Sequence, residues 1–175
     1  MVVAAIYVAT GLAWAGRTLL EFARPQYYDP VTALDFVAVW SSSLALGLLA
    51  LAVPLLARDA DAGRLTTAVA IVTGAASALA AIANGIEDGL GLKEFASLYV
   101  PAALGTLIGL LAFALLLVRE GHRRAGMVAG WWCAIAGVSL GFGVLVLVGS
   151  LAAARDRSRL SIVGGSGAEE GRAAG

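Results

Sequence analysis

Residues 98–118 read LYVPAALGTLIGLLAFALLLV, a run with no charged side chain anywhere in it. A hydrocarbon core about 30 Å thick is crossed by about 20 apolar residues rising ~1.5 Å each, so this run is long enough to span a membrane on its own. Outward from it, residues 65–86, 36–57 and 127–154 meet the same test, the last being long enough to tilt or to project past the headgroups. Residues 1–20 form a weaker fifth segment. Its largely apolar run ends at Gly16, so Arg17 must lie near the far interface with its guanidinium among the headgroups. Ala13-Trp14-Ala15 also imitates a signal-peptide cleavage site, but no basic segment precedes the apolar run, and a span is the preferred reading.

The expected fold class is therefore all-α: a polytopic membrane helix bundle over residues 1–154 with five transmembrane helices, or four if the first segment is cleaved or does not span. Composition agrees, with 60% apolar and 14% charged residues and a mean hydropathy of +0.88. The connections between spans are too short for an extramembrane domain. The tail, 155–175, combines Arg155, Arg157 and Arg159 with Gly164-Gly165-Ser166-Gly167, buries too little apolar surface to offset chain entropy, and is expected to be disordered.

Charge assigns the two faces. Side A carries the connections Arg58 to Arg64 and Arg119 to Gly126, with five arginines: Arg58, Arg64, Arg119, Arg123 and Arg124. Side B carries Glu21 to Asp35 and Glu87 to Ser97, with Arg17, Arg24 and Lys93 beside Glu21, Asp29, Asp35, Glu87, Asp88 and Glu94. The positive-inside rule makes side A cytoplasmic, although the tail arginines fall on side B and narrow the margin. Eleven arginines against one lysine, with abundant Ala, Gly and Val, indicate a GC-rich genome and so a multi-pass protein of a bacterial inner (plasma) membrane.

Several chemistries are excluded. The single histidine, His122, lies in a charged side A loop, so bis-histidine haem ligation or a histidine-clustered metal site cannot be built within the bundle. Cys133 is the lone cysteine, and no span holds a lysine for a Schiff base. Neither a cofactor nor a catalytic or metal site is expected. Twelve basic and twelve acidic residues balance, so no overall field favours nucleic acid.

Two polar stripes remain. Tyr7, Thr10, Trp14, Arg17 and Glu21 recur at helical spacing on one face of the first span, and Thr73, Ser77, Asn84 and Glu87-Asp88 do so on the third. In lipid these stripes should turn toward each other or toward a water-filled cavity. Both grow most polar at side B, where Asp35, Trp40 and Tyr99 join them. The candidate ligand or ion-pair site is thus Trp14, Arg17, Glu21, Asp35, Trp40, Asn84, Glu87, Asp88 and Tyr99, with Arg17 expected to pair with Glu87 or Asp88. The side B aromatics read either as an interfacial belt above solvated acids or as the walls of an acidic vestibule. The leucine-rich fourth span is expected to contact the most lipid. The pairs Gly105/Gly109, Gly126/Gly130 and Gly137/Gly141 permit close helix approach, within the bundle first and between copies second.

The expected role is a small non-catalytic binding, assembly or accessory protein in the lipid bilayer, its vestibule engaging a lipid or a partner membrane helix. The alternative is a transporter or permeation subunit for a small amphipathic or cationic solute. A membrane enzyme is the third reading.

Overall fold

The computed structural model describes residues 2–23 and 32–139. The rest of the last expected span, the tail 155–175 and the middle of the first side B loop lie outside the described residues. Among the described residues the chain is all-helical, with α1 (Val2–Ala23), α2 (Ala33–Asp59), α3 (Arg64–Asn84), a π-helical turn (Gly85–Gly89), a short 3-10 turn (Lys93–Phe95), α4 (Ala96–Arg119) and α5, described over residues 123–139. The first four α-helices are long and apolar enough to cross a membrane. Met1–Ser139 form one compact unit.

Each boundary differs from the apolar runs for a local reason. Apolar length decides where lipid begins, whereas capping decides where a helix stops. α2 starts at a reciprocal capping box in which the Asp35 amide donates to the Thr32 hydroxyl at 3.3 Å and the Thr32 amide donates to the Asp35 carboxylate at 2.8 Å. α2 and α4 end in the same way on side A. The Ala62 amide bonds the Ala57 carbonyl and the Asp61 amide that of Arg58, while the His122 amide bonds Leu117 and the Gly121 amide Val118. This is the Schellman pattern, whose closing residue adopts positive φ: 52° at Asp61 and 92° at Gly121.

Successive helices pack antiparallel as α1 on α2, α2 on α3 and α3 on α4. α5 lies against α4, where the Cys133 thiol approaches the Leu107 carbonyl at 3.8 Å, and against α1, where the Tyr7 and Trp132 rings sit 5.8 Å apart. The core between them is Leu46, Leu49 and Val53 of α2, Leu110, Phe113 and Leu117 of α4, and Trp132 of α5, with many alanines. The expectation that α4 would contact the most lipid is overturned among the described residues: 39% of its apolar window is buried, against 11% of that of α1. Hydropathy measures how well a helix tolerates lipid and says nothing about which helix the others surround.

Small residues set the closest approaches. Pro54 has no N–H and leaves the Ala50 carbonyl without its helical donor. A Cβ at Gly74 would lie 2.8 Å from that carbonyl oxygen and 3.1 Å from the Pro54 ring. Gly109 of α4 sits directly on the Thr73 side chain, whose hydroxyl is held by the Val69 carbonyl at 2.7 Å and so cannot readily swing aside. Gly105 faces Ala76 and Gly126 faces Val118, whereas a Cβ at Gly130 or Gly137 would meet nothing within 4 Å among the described residues. Gly109→Ala should therefore lower the melting temperature in detergent, as overpacking costs about 1–3 kcal/mol, while Gly130→Ala should leave it unchanged. Equal effects would show that the α3–α4 contact does not depend on glycine.

Candidate functional site

The polar positions of α3 face inward, with Thr73, Ser77 and Asn84 all buried. Hydrocarbon offers no partner for an amide or hydroxyl, so each must find one inside the chain. Ser77 donates to the Leu46 carbonyl at 2.9 Å. Asn84 donates to the Val39 carbonyl at 3.2 Å and to the Ser43 hydroxyl at 3.0 Å. At these positions the α3 stripe turns onto α2 rather than toward α1, because the α2 backbone supplies the acceptors. The α1 stripe finds partners of its own. Tyr7 donates to Asp59 of α2 at 2.9 Å, and Thr10 and Thr18 donate back to the carbonyls of Ile6 and Trp14.

Directly after Asn84 the helix widens into the π turn that carries Glu87 and Asp88, both half-buried. Single π turns insert an extra residue and recur at functional sites. Close approach calls for glycine at the far end of this one, Gly89, while Gly85 at the near end has room for a methyl group. Trp40 lays its indole across it, so that a Cβ at Gly89 would stand 2.9 Å from Cζ2 of Trp40 and a Cβ at Gly85 3.5 Å from Cζ3. Trp40 remains 50% exposed, the rim of a corner whose floor is Asn84 and Ser43.

The structure thus brings together Trp40, Asn84 and the Glu87-Asp88 turn. Asp35 lies just above them on α2, buried and already bonded by the Thr32 amide at 2.8 Å and hydroxyl at 2.7 Å, so its carboxylate serves the helix cap. Trp14 does not belong to an interfacial belt: it is 2% exposed, and its Nε1 is buried with no hydrogen-bond partner among the described residues. A buried donor left unsatisfied costs about 1–3 kcal/mol. One turn further along α1, Arg17 has a buried Nη1. Tyr99 of α4 is half-buried against the core, Glu21 lies in the last turn of α1, and Arg17, Asp35, Glu87, Asp88 and Tyr99 are each held by further contacts.

Side A holds a feature that sequence reasoning missed. The N-cap residue before α3 is Gly63, which has no side chain to cap the helix. Glu120, from the turn after α4, supplies the cap. It accepts the Gly63 amide at 2.9 Å and the Thr66 hydroxyl at 2.6 Å, joining the two side A turns. These donors, the Thr66 hydroxyl first, hold the Glu120 carboxyl below its ordinary value. No local signal announces a cap supplied across more than fifty residues. The Thr32-Ala33-Leu34-Asp35 box, in contrast, follows a legible motif.

These features define a class: an all-α bundle of membrane-spanning dimensions with one polar corner at side B. Compared with protein-family models, with curated proteins and with solved structures, the chain matches none.

Asn84→Ala should lower thermal stability by about 1 kcal/mol, the scale of interhelical hydrogen bonds in membranes, measured by unfolding in mixed micelles; no loss would mean that the amide is not a packing determinant. Glu120 contributes stability above the ordinary glutamate value of 4.5, lost as pH falls through its depressed folded value. The melting-temperature gap between the unmodified chain and Glu120→Gln should accordingly be present at neutral pH and close below about pH 4.5. A gap independent of pH would remove the charge from the argument.

Proposed function

We propose that this is a small, non-catalytic integral membrane protein that binds an amphipathic ligand, a lipid or a partner membrane helix, at its side B corner. On this reading side A is cytoplasmic, and the arginine-rich composition favours the inner membrane of a bacterium. The observation that carries the proposal is the confinement of charged groups to the two ends of the bundle among the described residues. Between the Asn84–Ser43 floor and the Thr66–Glu120 clamp, the core side chains Leu46, Leu49, Val53, Leu110 and Phe113 are 0–1% exposed. The hydroxyls at intermediate depth are all spent on backbone carbonyls, Thr10, Thr73 and Thr106 within their own helices and Ser77 on Leu46 of α2. Such a core supports one-sided binding over a permeation path, which needs polar groups continuing across the bilayer.

The side B corner has the parts an amphipathic molecule requires. Trp40 and the exposed Leu90 and Leu92 offer apolar contact beside the Glu87-Asp88 turn, and Arg17 of α1 extends the charged groups at this end.

The test pairs two measurements on the full chain. Lipid co-purifying in mild detergent, counted by mass spectrometry, should fall severalfold in the Glu87→Gln/Asp88→Asn double variant, and proteoliposomes should take up no more amphipathic cation than empty vesicles. Uptake above empty vesicles would establish the transporter reading instead. Unchanged co-purifying lipid together with an unchanged set of co-purifying membrane proteins would overturn the assignment of the corner.

A further inference from the structure

The side A end carries five arginines, Arg58, Arg64, Arg119, Arg123 and Arg124, and all five are exposed. Three carboxylates share this end. Asp59 accepts the Tyr7 hydroxyl, and Glu120 is spent on the Gly63 amide and the Thr66 hydroxyl, leaving Asp61. None of the five guanidiniums takes part in a hydrogen bond or ion pair among the described residues. The Glu120 clamp brings the two arginine-bearing turns together, because its donor Gly63 precedes Arg64 and Glu120 itself follows Arg119.

Helix stability explains only part of this set. Arg58 and Arg119 lie in last turns, where a cation complements the macrodipole. Arg64 opens α3, and Arg123 and Arg124 open α5, positions where the macrodipole disfavours a cation. An anion placed among these helix starts would be favoured by both the guanidiniums and the helix ends. The ends of membrane-spanning helices lie at headgroup level, where the anion at hand is a lipid phosphodiester. Its oxygens match the guanidinium fork.

We infer that side A is a binding surface for the phosphate groups of anionic phospholipids, formed by Arg64, Arg119, Arg123 and Arg124 around the Glu120 clamp. The surface is independent of the side B corner.

The full chain in mild detergent is titrated with phosphatidylglycerol or phosphatidylcholine of identical acyl chains, and bound lipid is counted by native mass spectrometry. Phosphatidylglycerol should be retained about tenfold more tightly, with the preference falling to about twofold in Arg123→Gln/Arg124→Gln. On the unmodified chain the preference should shrink as ammonium acetate rises from about 50 mM to about 500 mM, a reading that needs no variant to fold. Equal retention of the two lipids overturns the inference, as does a preference insensitive to salt. Complete displacement of phosphatidylglycerol by inorganic phosphate at equal concentration would make the surface a free-anion site and equally overturn the lipid assignment.

Discussion

Hydrocarbon offers no hydrogen bonds, and the interior of this bundle is organised around that lack. Most of its buried hydroxyls avoid the problem locally by bonding the carbonyl one turn back, as Thr10, Thr73 and Thr106 do. Ser77 and Asn84 do not. Their bonds cross to the α2 backbone at Leu46 and Val39, so the rotation of α3 about its own axis is set by polar atoms. Apolar side chains tolerate many rotations of one helix against another, whereas an amide in lipid tolerates few. From this fixed pairing follow the seat of Gly74 on the Ala50 carbonyl and the position of the π turn beneath Trp40.

The two ends of the bundle solve different problems. At side A the chain turns twice in the same compact pattern, and Glu120 ties the turns together by capping a helix whose N-cap residue is glycine. The price of that tie is a carboxylate withdrawn from charge neutralisation, which leaves the arginines around it unbalanced. At side B the regular helix gives way. Gly89 at the end of the π turn lets the Trp40 indole approach it closely, and the turn holds Glu87 and Asp88 at half-burial.

Much of this is legible from residues alone, and the misses share a cause. The apolar runs locate four helices to within a few residues at most ends, because transfer to lipid is nearly additive along a chain. The inward turn of Thr10, Trp14, Ser77 and Asn84 follows from their helical spacing. The expectation for α4 failed because its leucines are as well suited to packing on α3 and α5 as to facing lipid. Among the glycine pairs, spacing cannot distinguish Gly109, pressed on Thr73, from Gly130, which meets no neighbour among the described residues. Trp14 and Trp40 stand near the same boundary in sequence, yet one is core and the other rim.

What the sequence by itself determined is the position and approximate length of the four helices long and apolar enough to cross a membrane, together with which residues share a face. These are properties of each segment taken alone: apolar length, helical period and local capping. Only the tertiary structure decided partners. It placed Glu120 on the start of α3, spent Asp35 on its own helix cap, turned the α3 stripe onto α2 and left the indole nitrogen of Trp14 unsatisfied among the described residues. Partners depend on the rotation and approach of one helix against another. Those quantities come from the packing of the whole bundle and are not encoded in any one segment.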